Sequence, residues 1–139
     1  MSYLIKYKSD FQVIEWNEST KIVKSSWNTP INLSEKLYRE ELNQYFKMIE
    51  ELTPSLILVD AIKAYYNIHP DTQEWINQRN IEIHKKIHLR RMAWVVSSDL
   101  FSQVSFEQAL DDVKSNNIFK LQYFDNVEEA ENWLSKNLD

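Results

Sequence analysis

The chain contains no glycine and no cysteine in 139 residues, and only three prolines. Each absence removes a class of chemistry. Glycine is the residue that takes positive φ without steric cost and lets a backbone approach a phosphate, so the glycine-rich loops of the Walker and dinucleotide-binding types are excluded. Oxyanion loops that rely on tight turns are disfavoured for the same reason. Turns are expected to fall to Asn, Asp and Ser, which tolerate the left-handed region or bond their own backbone. Without cysteine there are no disulfides, thiolate metal ligands or cysteine nucleophiles. Positive charge is also in deficit: 16 Lys and Arg stand against 21 Asp and Glu, for a net charge of −5. Non-specific attraction to nucleic acid or to an anionic membrane is therefore disfavoured, and neither is expected as a partner. No apolar run approaches the roughly 18 residues of a membrane-spanning helix. The opening residues, from Met1 through Tyr3 and Lys6 to Lys8, are too polar for a signal peptide. A cytoplasmic location is expected.

Hydrophobic residues make up 43% of the chain and aromatic residues 13%, too apolar a composition for disorder. The length suits one domain, residues 1–139, with one sizeable core. Its most ordered stretch is Leu56-Ile57-Leu58-Val59-Asp60, four apolar residues closed by a carboxylate and bounded upstream by Thr53-Pro54. That pattern predicts a central strand buried on both faces.

Around it the other elements follow in order. Residues 11–16 and 21–27 are β-rich runs joined by Asn17-Glu18-Ser19-Thr20, which predicts an N-terminal β-hairpin. Residues 3–8 alternate and either extend the first strand or form a lysine-bearing edge strand. Ser34 is placed to cap a helix over 35–52, with Tyr38, Leu42, Tyr45, Ile49 and Leu52 on one face. After the central strand, Pro70 and the pair Asp71 and Glu74 announce a second helix, Asp71 taking the cap role. Residues 92–97 give a second buried strand, completing a βαβ unit. Ser105 with Gln108 predicts the start of a third helix, ended by Asn116-Asn117. Residues 118–124 alternate as a last, edge strand, and Asn126 with Glu129 caps a final helix through Val127, Ala130, Trp133, Leu134 and Leu138. The expected fold is α/β with a mixed sheet, in the order ββαβαβαβα.

Ligands and partners of open α/β sheets meet the carboxyl ends of parallel strands and the helix starts that follow. This selects residues 60–72 and 97–105. Asp60 is either an acid or base, pairing with His69, or an anchor for the loop that follows it. Tyr65, Tyr66, Trp27 and Trp75 are candidates for an aromatic recognition surface. His84 and His88 lie four apart, the spacing that turns two imidazoles to one helical face, but no third ligand accompanies them and no metal is expected. Lys85, Lys86, Arg90 and Arg91 read as a solvated helix end followed by a strand entry, since cations are favoured near a helix carboxyl terminus. No nucleophile, base and orienter stand out together. The chain is therefore not expected to be an enzyme, and no cofactor is expected.

The order of elements, together with Ile22-Val23-Lys24-Ser25-Ser26-Trp27, Leu58-Val59-Asp60, Pro70-Asp71-Thr72-Gln73-Glu74-Trp75, Arg90-Arg91-Met92-Ala93, Asp99-Leu100-Phe101, Tyr123-Phe124-Asp125 and Trp133-Leu134, resembles the STAS family. This is the SpoIIAA-like, anti-sigma-factor-antagonist fold, and the chain looks most like its small stand-alone bacterial members. The resemblance covers nearly the whole chain. It implies a regulatory or protein-interaction module whose partner meets the loop and helix start after the central strand. Carried onto this sequence, that surface comprises Asp60, Tyr65, Tyr66, Asp71, Thr72 and Trp75. The family's Asp-Ser-Ser-Gly type motif is replaced here by His69-Pro70-Asp71-Thr72-Gln73, which leaves Thr72 as the hydroxyl at the helix start. A protein partner is implied. The alternatives are a small apolar ligand bound near the carboxyl ends of the central strands, as in sensory relatives of the fold, and a homodimer.

Overall fold

A computed structural model describes residues 2–136. Met1, and Leu138 with its expected place in the last helix, lie outside the described residues. The strands are β1 (Leu4–Lys8), β2 (Gln12–Asn17), β3 (Ile22–Thr29), β4 (Leu56–Ala64), β5 (Arg91–Val95) and β6 (Lys120–Phe124). They form one six-stranded sheet in the order β1-β2-β3-β4-β5-β6. The β1–β2 and β2–β3 pairs are antiparallel, whereas β3–β4, β4–β5 and β5–β6 are parallel. The helices are α1 (Glu35–Leu52), α2 (Pro70–Lys86), α3 (Leu100–Ala109), α4 (Asp111–Asn116) and α5 (Val127–Leu134). The α/β class, the mixed sheet and the N-terminal hairpin agree with the sequence. The order does not agree in full: it is βββαβαβααβα, because residues 4–8 form a strand of their own and the third helical region is divided.

Polar side chains make the turns that glycine would otherwise make. The Ser9 hydroxyl accepts from the amides of Phe11 at 3.1 Å and Gln12 at 3.2 Å, which closes the β1–β2 turn. Between β2 and β3, Asn17 Oδ1 accepts from Thr20 N at 3.0 Å and from the Ser19 hydroxyl at 2.9 Å. Positive φ is taken by Lys21, Thr53, His88 and Asn117. Asn117 and His88 are of types enriched there, whereas Lys21 and Thr53 are not. Thr53, β-branched and left-handed at the end of α1, carries strain on the order of 1–2 kcal/mol.

Helix starts follow capping chemistry, with two corrections. Ser34 caps α1 through a 3.2 Å bond from Leu37 N, and Asn126 caps α5 through a 2.8 Å bond from Glu129 N. Asp71 does not cap α2. That helix starts one position earlier, at Pro70, with His69 as the N-cap and no side-chain cap bond, because the fixed φ and missing N–H of proline suit the first helical position. Ser105 does not cap α3 either. Asp99 does, its Oδ2 accepting from Ser102 N at 2.9 Å, and Ser105 is buried in mid-helix.

The sheet is covered on both faces. Ile14, Val23, Ile57, Val59, Ala61 and Met92 face a core shared with α1, α2, α3 and α4, in which Phe46, Ile49, Ile83, Phe106 and Val113 are buried. Ile22, Leu56, Leu58, Ala93 and Val95 point the other way, onto Ala130 and Leu134 of α5. The two-residue period of a strand produces this division. The parallel strands follow chain order without reversal. The sheet therefore lacks the crevice that opens where neighbouring loops diverge to opposite faces. Instead the loops after β3, β4 and β5 gather at one end.

Near the opposite edge, α1 is tied to the hairpin by a buried carboxylate. Glu41 accepts from the Tyr7 hydroxyl (3.0 Å), the Ser9 hydroxyl (2.7 Å) and Gln12 Nε2 (3.2 Å), while Gln12 Oε1 accepts from Ser25 (3.2 Å). Every member of the network has a partner, which is the condition under which buried polar groups stabilise a fold.

Candidate functional site

The loops after β4 and β5 are laced together at the carboxyl end of the sheet. Ser97 Oγ donates to Ala64 O at 2.6 Å, and Ser98 Oγ reaches Ile62 O at 3.0 Å and the Tyr65 hydroxyl at 3.2 Å. Gln103 Oε1 accepts from Ser97 N at 2.9 Å, and Ser105 Oγ accepts from Ile68 N at 3.2 Å. The Asp99 carboxylate takes the Ser102 amide and hydroxyl, at 2.9 and 2.7 Å, and these bonds hold its pKa below the usual carboxylate range.

This lacing inverts the first half of α3. Ser102, Gln103 and Ser105 are buried because their side chains make the ties, while Leu100, Phe101 and Val104 face outward at 72%, 75% and 45% exposure. Spacings of three and four place the outward residues on one helical face. Tyr65, 38% exposed, is joined to the same platform by Ser98. Leu100, Phe101 and Val104 thus share one exposed apolar face on a helix anchored by its polar residues.

The residues expected at the site divide sharply. Tyr65 and Asp71 are exposed. Tyr66 is buried, contrary to its place in an aromatic surface: its ring lies 4.3 Å from that of Tyr38, and its hydroxyl is buried without a partner among the described residues. Burial raises its pKa, with the Glu35 carboxylate adding to the effect. Trp75 and Trp27 are half-buried against the helical core, Trp75 edge-on to Phe46 at 5.8 Å and beneath Arg39 at 5.2 Å. Asp60 does not pair with His69. Strand alternation sends it to the Leu58 and Ile62 side, where its Oδ1 accepts from Ile62 N at 3.2 Å, the anchoring role. His69 stacks on Tyr66, on the side of the helical core.

Thr72 is fully buried. Its hydroxyl donates to Glu35 Oε1, lowering the pKa of that carboxyl, and accepts from Arg39 Nε at 3.1 Å. Thr72 therefore ties α2 to α1 and presents no hydroxyl to a kinase or partner. Thr72→Val is expected to reduce stability by about 1 kcal/mol in urea denaturation. A threonine held only for a partner would leave the midpoint unchanged.

His84 and His88 do not share a helical face. His84 is buried, whereas His88 lies past the end of α2 with φ 58°. Among the described residues no three His, Asp or Glu side chains gather as a metal site, and no helix is long and apolar enough to cross a membrane. Leu100 and Phe101 entered the sequence reading only within residues 97–105 and the stretch Asp99-Leu100-Phe101, and neither they nor Val104 were expected to form an exposed helical face. The available signal was Asp99 followed by apolar residues at positions one, two and five beyond it.

Comparison of the chain with protein-family models, with curated proteins and with solved structures returns no match in any of the three.

Proposed function

We propose that this chain is a non-enzymatic regulatory domain of STAS type that recognises a protein partner at the carboxyl end of its sheet, without a phosphoswitch. The observation that carries the reading is the inverted start of α3, with Leu100, Phe101 and Val104 outward while Ser102, Gln103 and Ser105 are buried. A helix that spends its polar residues on internal ties and leaves a phenylalanine and a leucine in water gains from a partner that covers them. The sequential sheet supports a SpoIIAA-like assignment, because its three parallel crossovers lay their helices side by side on one face. Tyr65 belongs to the proposed surface. Asp60, Tyr66, Thr72 and Trp75 are engaged in contacts inside the fold, and Asp71 lies outside the apolar face.

The test is affinity capture from the cells that make the protein, using wild type, the double variant Leu100→Ser with Phe101→Ser, and Asp71→Asn. A partner held by wild type and Asp71→Asn but lost by the double variant is the expected result. The same set of proteins on all three would sink the proposal.

A further inference from the structure

A cavity lies between the sheet and the helices, beneath the convergence of α1, α2 and α3, and about 50 Å³ of it is open to the centre of a water-sized sphere. It exists because the positions facing it carry little bulk. Ala61 and Ala64 on β4 and Ala109 on α3 stand where larger residues would close the space. The two strand positions lie in the carboxyl half of β4, toward the end of the sheet where the loops gather.

The surface this cavity offers is mainly carbon. Among the described residues that line it none is charged, so a carboxylate, phosphate or ammonium would enter it uncompensated. Thr29 Oγ1 and Trp94 Nε1 belong to its wall, but each is closed to a water-sized sphere and neither is open to a molecule inside. The Tyr45 hydroxyl is already engaged with His84, at 3.4 Å. Carbon from Val59, Ile68, Ile76 and Phe106 outweighs the few polar groups left, such as the Asn80 amide, and a water there would trade its usual two to four partners for fewer. An apolar molecule gives up no such bonds. Entering the cavity, it leaves water and supplies the dispersion contacts that the walls of an unfilled space forfeit.

We propose that this cavity is a binding site for a neutral, apolar molecule of about three non-hydrogen atoms, in the class of the short hydrocarbons, held by packing and by its exclusion from water without a hydrogen bond. Phe106 and Ala109 meet the cavity from the buried side of α3, away from the exposed Leu100, Phe101 and Val104. Its failure and the failure of the partner reading are therefore distinguishable.

The experiment titrates protein carrying ¹³C-labelled isoleucine methyl groups with propene and with formamide, a polar molecule of the same shape and heavy-atom count. Ile68 and Ile76 line the cavity and report on it, each signal assigned by its loss in the valine variant, while Ile22, on the α5 face of the sheet, is the control. Propene is expected to move the Ile68 and Ile76 signals saturably and to leave Ile22 in place. It should bind about tenfold more tightly than formamide, whose amide would be buried without the partners it has in water. Ala61→Val adds two methyl groups where the space is, and is expected to abolish propene binding while the amide spectrum stays that of a folded chain. Ala109→Val replaces it if Ala61→Val is unfolded. Four results would overturn the proposal: no saturable movement with propene, formamide binding as tightly as propene, equal movement of Ile22, or propene binding that survives the filled variant.

Discussion

Acidification from about pH 7 to about pH 4 is expected to remove on the order of 3 kcal/mol of stability through one residue, His84. Its imidazole is buried, with Nδ1 2.9 Å from Asn80 O, Nε2 3.4 Å from the Tyr45 hydroxyl, and the ring edge-on to Phe119 at 5.3 Å. The contact with a carbonyl, which only accepts, places the proton on Nδ1 and leaves Nε2 to accept from Tyr45. A second proton would charge a ring that has lost its water. Burial accordingly pushes the pKa down from 6.5 to about 4, the Asn80 bond offsetting only part of the effect. The unfolded chain protonates His84 below 6.5 while the folded chain resists until about 4, so stability is fully present above the higher value and falls as pH drops between the two. At about 1.36 kcal/mol per pH unit, the interval gives the stated loss. Carboxylates with lowered pKa, such as Glu35 and Asp99, act in a different window, retaining their contribution down to the ordinary carboxylate range and losing it below. Urea denaturation at several pH values should therefore show a slope between about pH 6.5 and 4 that His84→Gln flattens. An unchanged slope in the variant would assign the loss to other groups.

The central strand was legible because a run of Leu, Ile and Val has few other places to go, and the structure buries Ile57 and Leu58 completely, on opposite faces of the sheet. The caps Ser34 and Asn126 were legible because an N-cap bond is local. Long-range effects were not. Glu41 sits among the charged residues of an amphipathic helix, and only the distant Tyr7, Ser9 and Gln12 make it a buried acceptor. Thr72 looked accessible at a helix start, but α1 folds across it and supplies Glu35 and Arg39. The start of α3 was misplaced because Ser105 and Gln108 imitate a cap, and it takes the β4 loop, through Ile68, to give Ser105 a different task. The same ties turned Leu100 and Phe101 outward, so this exposed apolar face was hidden in the sequence by the tertiary bonds that create it. The left-handed cap at Asn117 was legible from its residue type, and the other left-handed positions were not. Without glycine, Lys21, Thr53 and His88 accept positive φ where chain direction demands it, and tertiary packing carries the strain.

Phe46 and Phe101 make the sharpest separation between fold and proposed function, since the same substitution in each should have opposite consequences. Phe46 is 1% exposed. It is edge-on to Trp75 and Tyr45, at 5.8 and 5.3 Å, with the Arg79 guanidinium 5.3 Å from its ring centre, so it joins α1 to α2 at the middle of their contact. Phe46→Ala removes that packing and adds to a cavity already lined by Phe46. The expected loss is about 3–5 kcal/mol, a large share of the roughly 5–15 kcal/mol that holds a domain together. Phe101 is 75% exposed, and the ties that hold α3 run through Asp99, Ser102, Gln103 and Ser105 rather than through its ring. Phe101→Ala should leave stability within about 0.5 kcal/mol of wild type. Urea denaturation followed by far-ultraviolet circular dichroism measures both variants on one scale, and affinity capture then measures the second quantity. Phe101→Ala is expected to fold as wild type and fail to hold the partner. If it destabilises the chain as Phe46→Ala does, its ring belongs to the core, and the inverted start of α3 loses its meaning as a contact face.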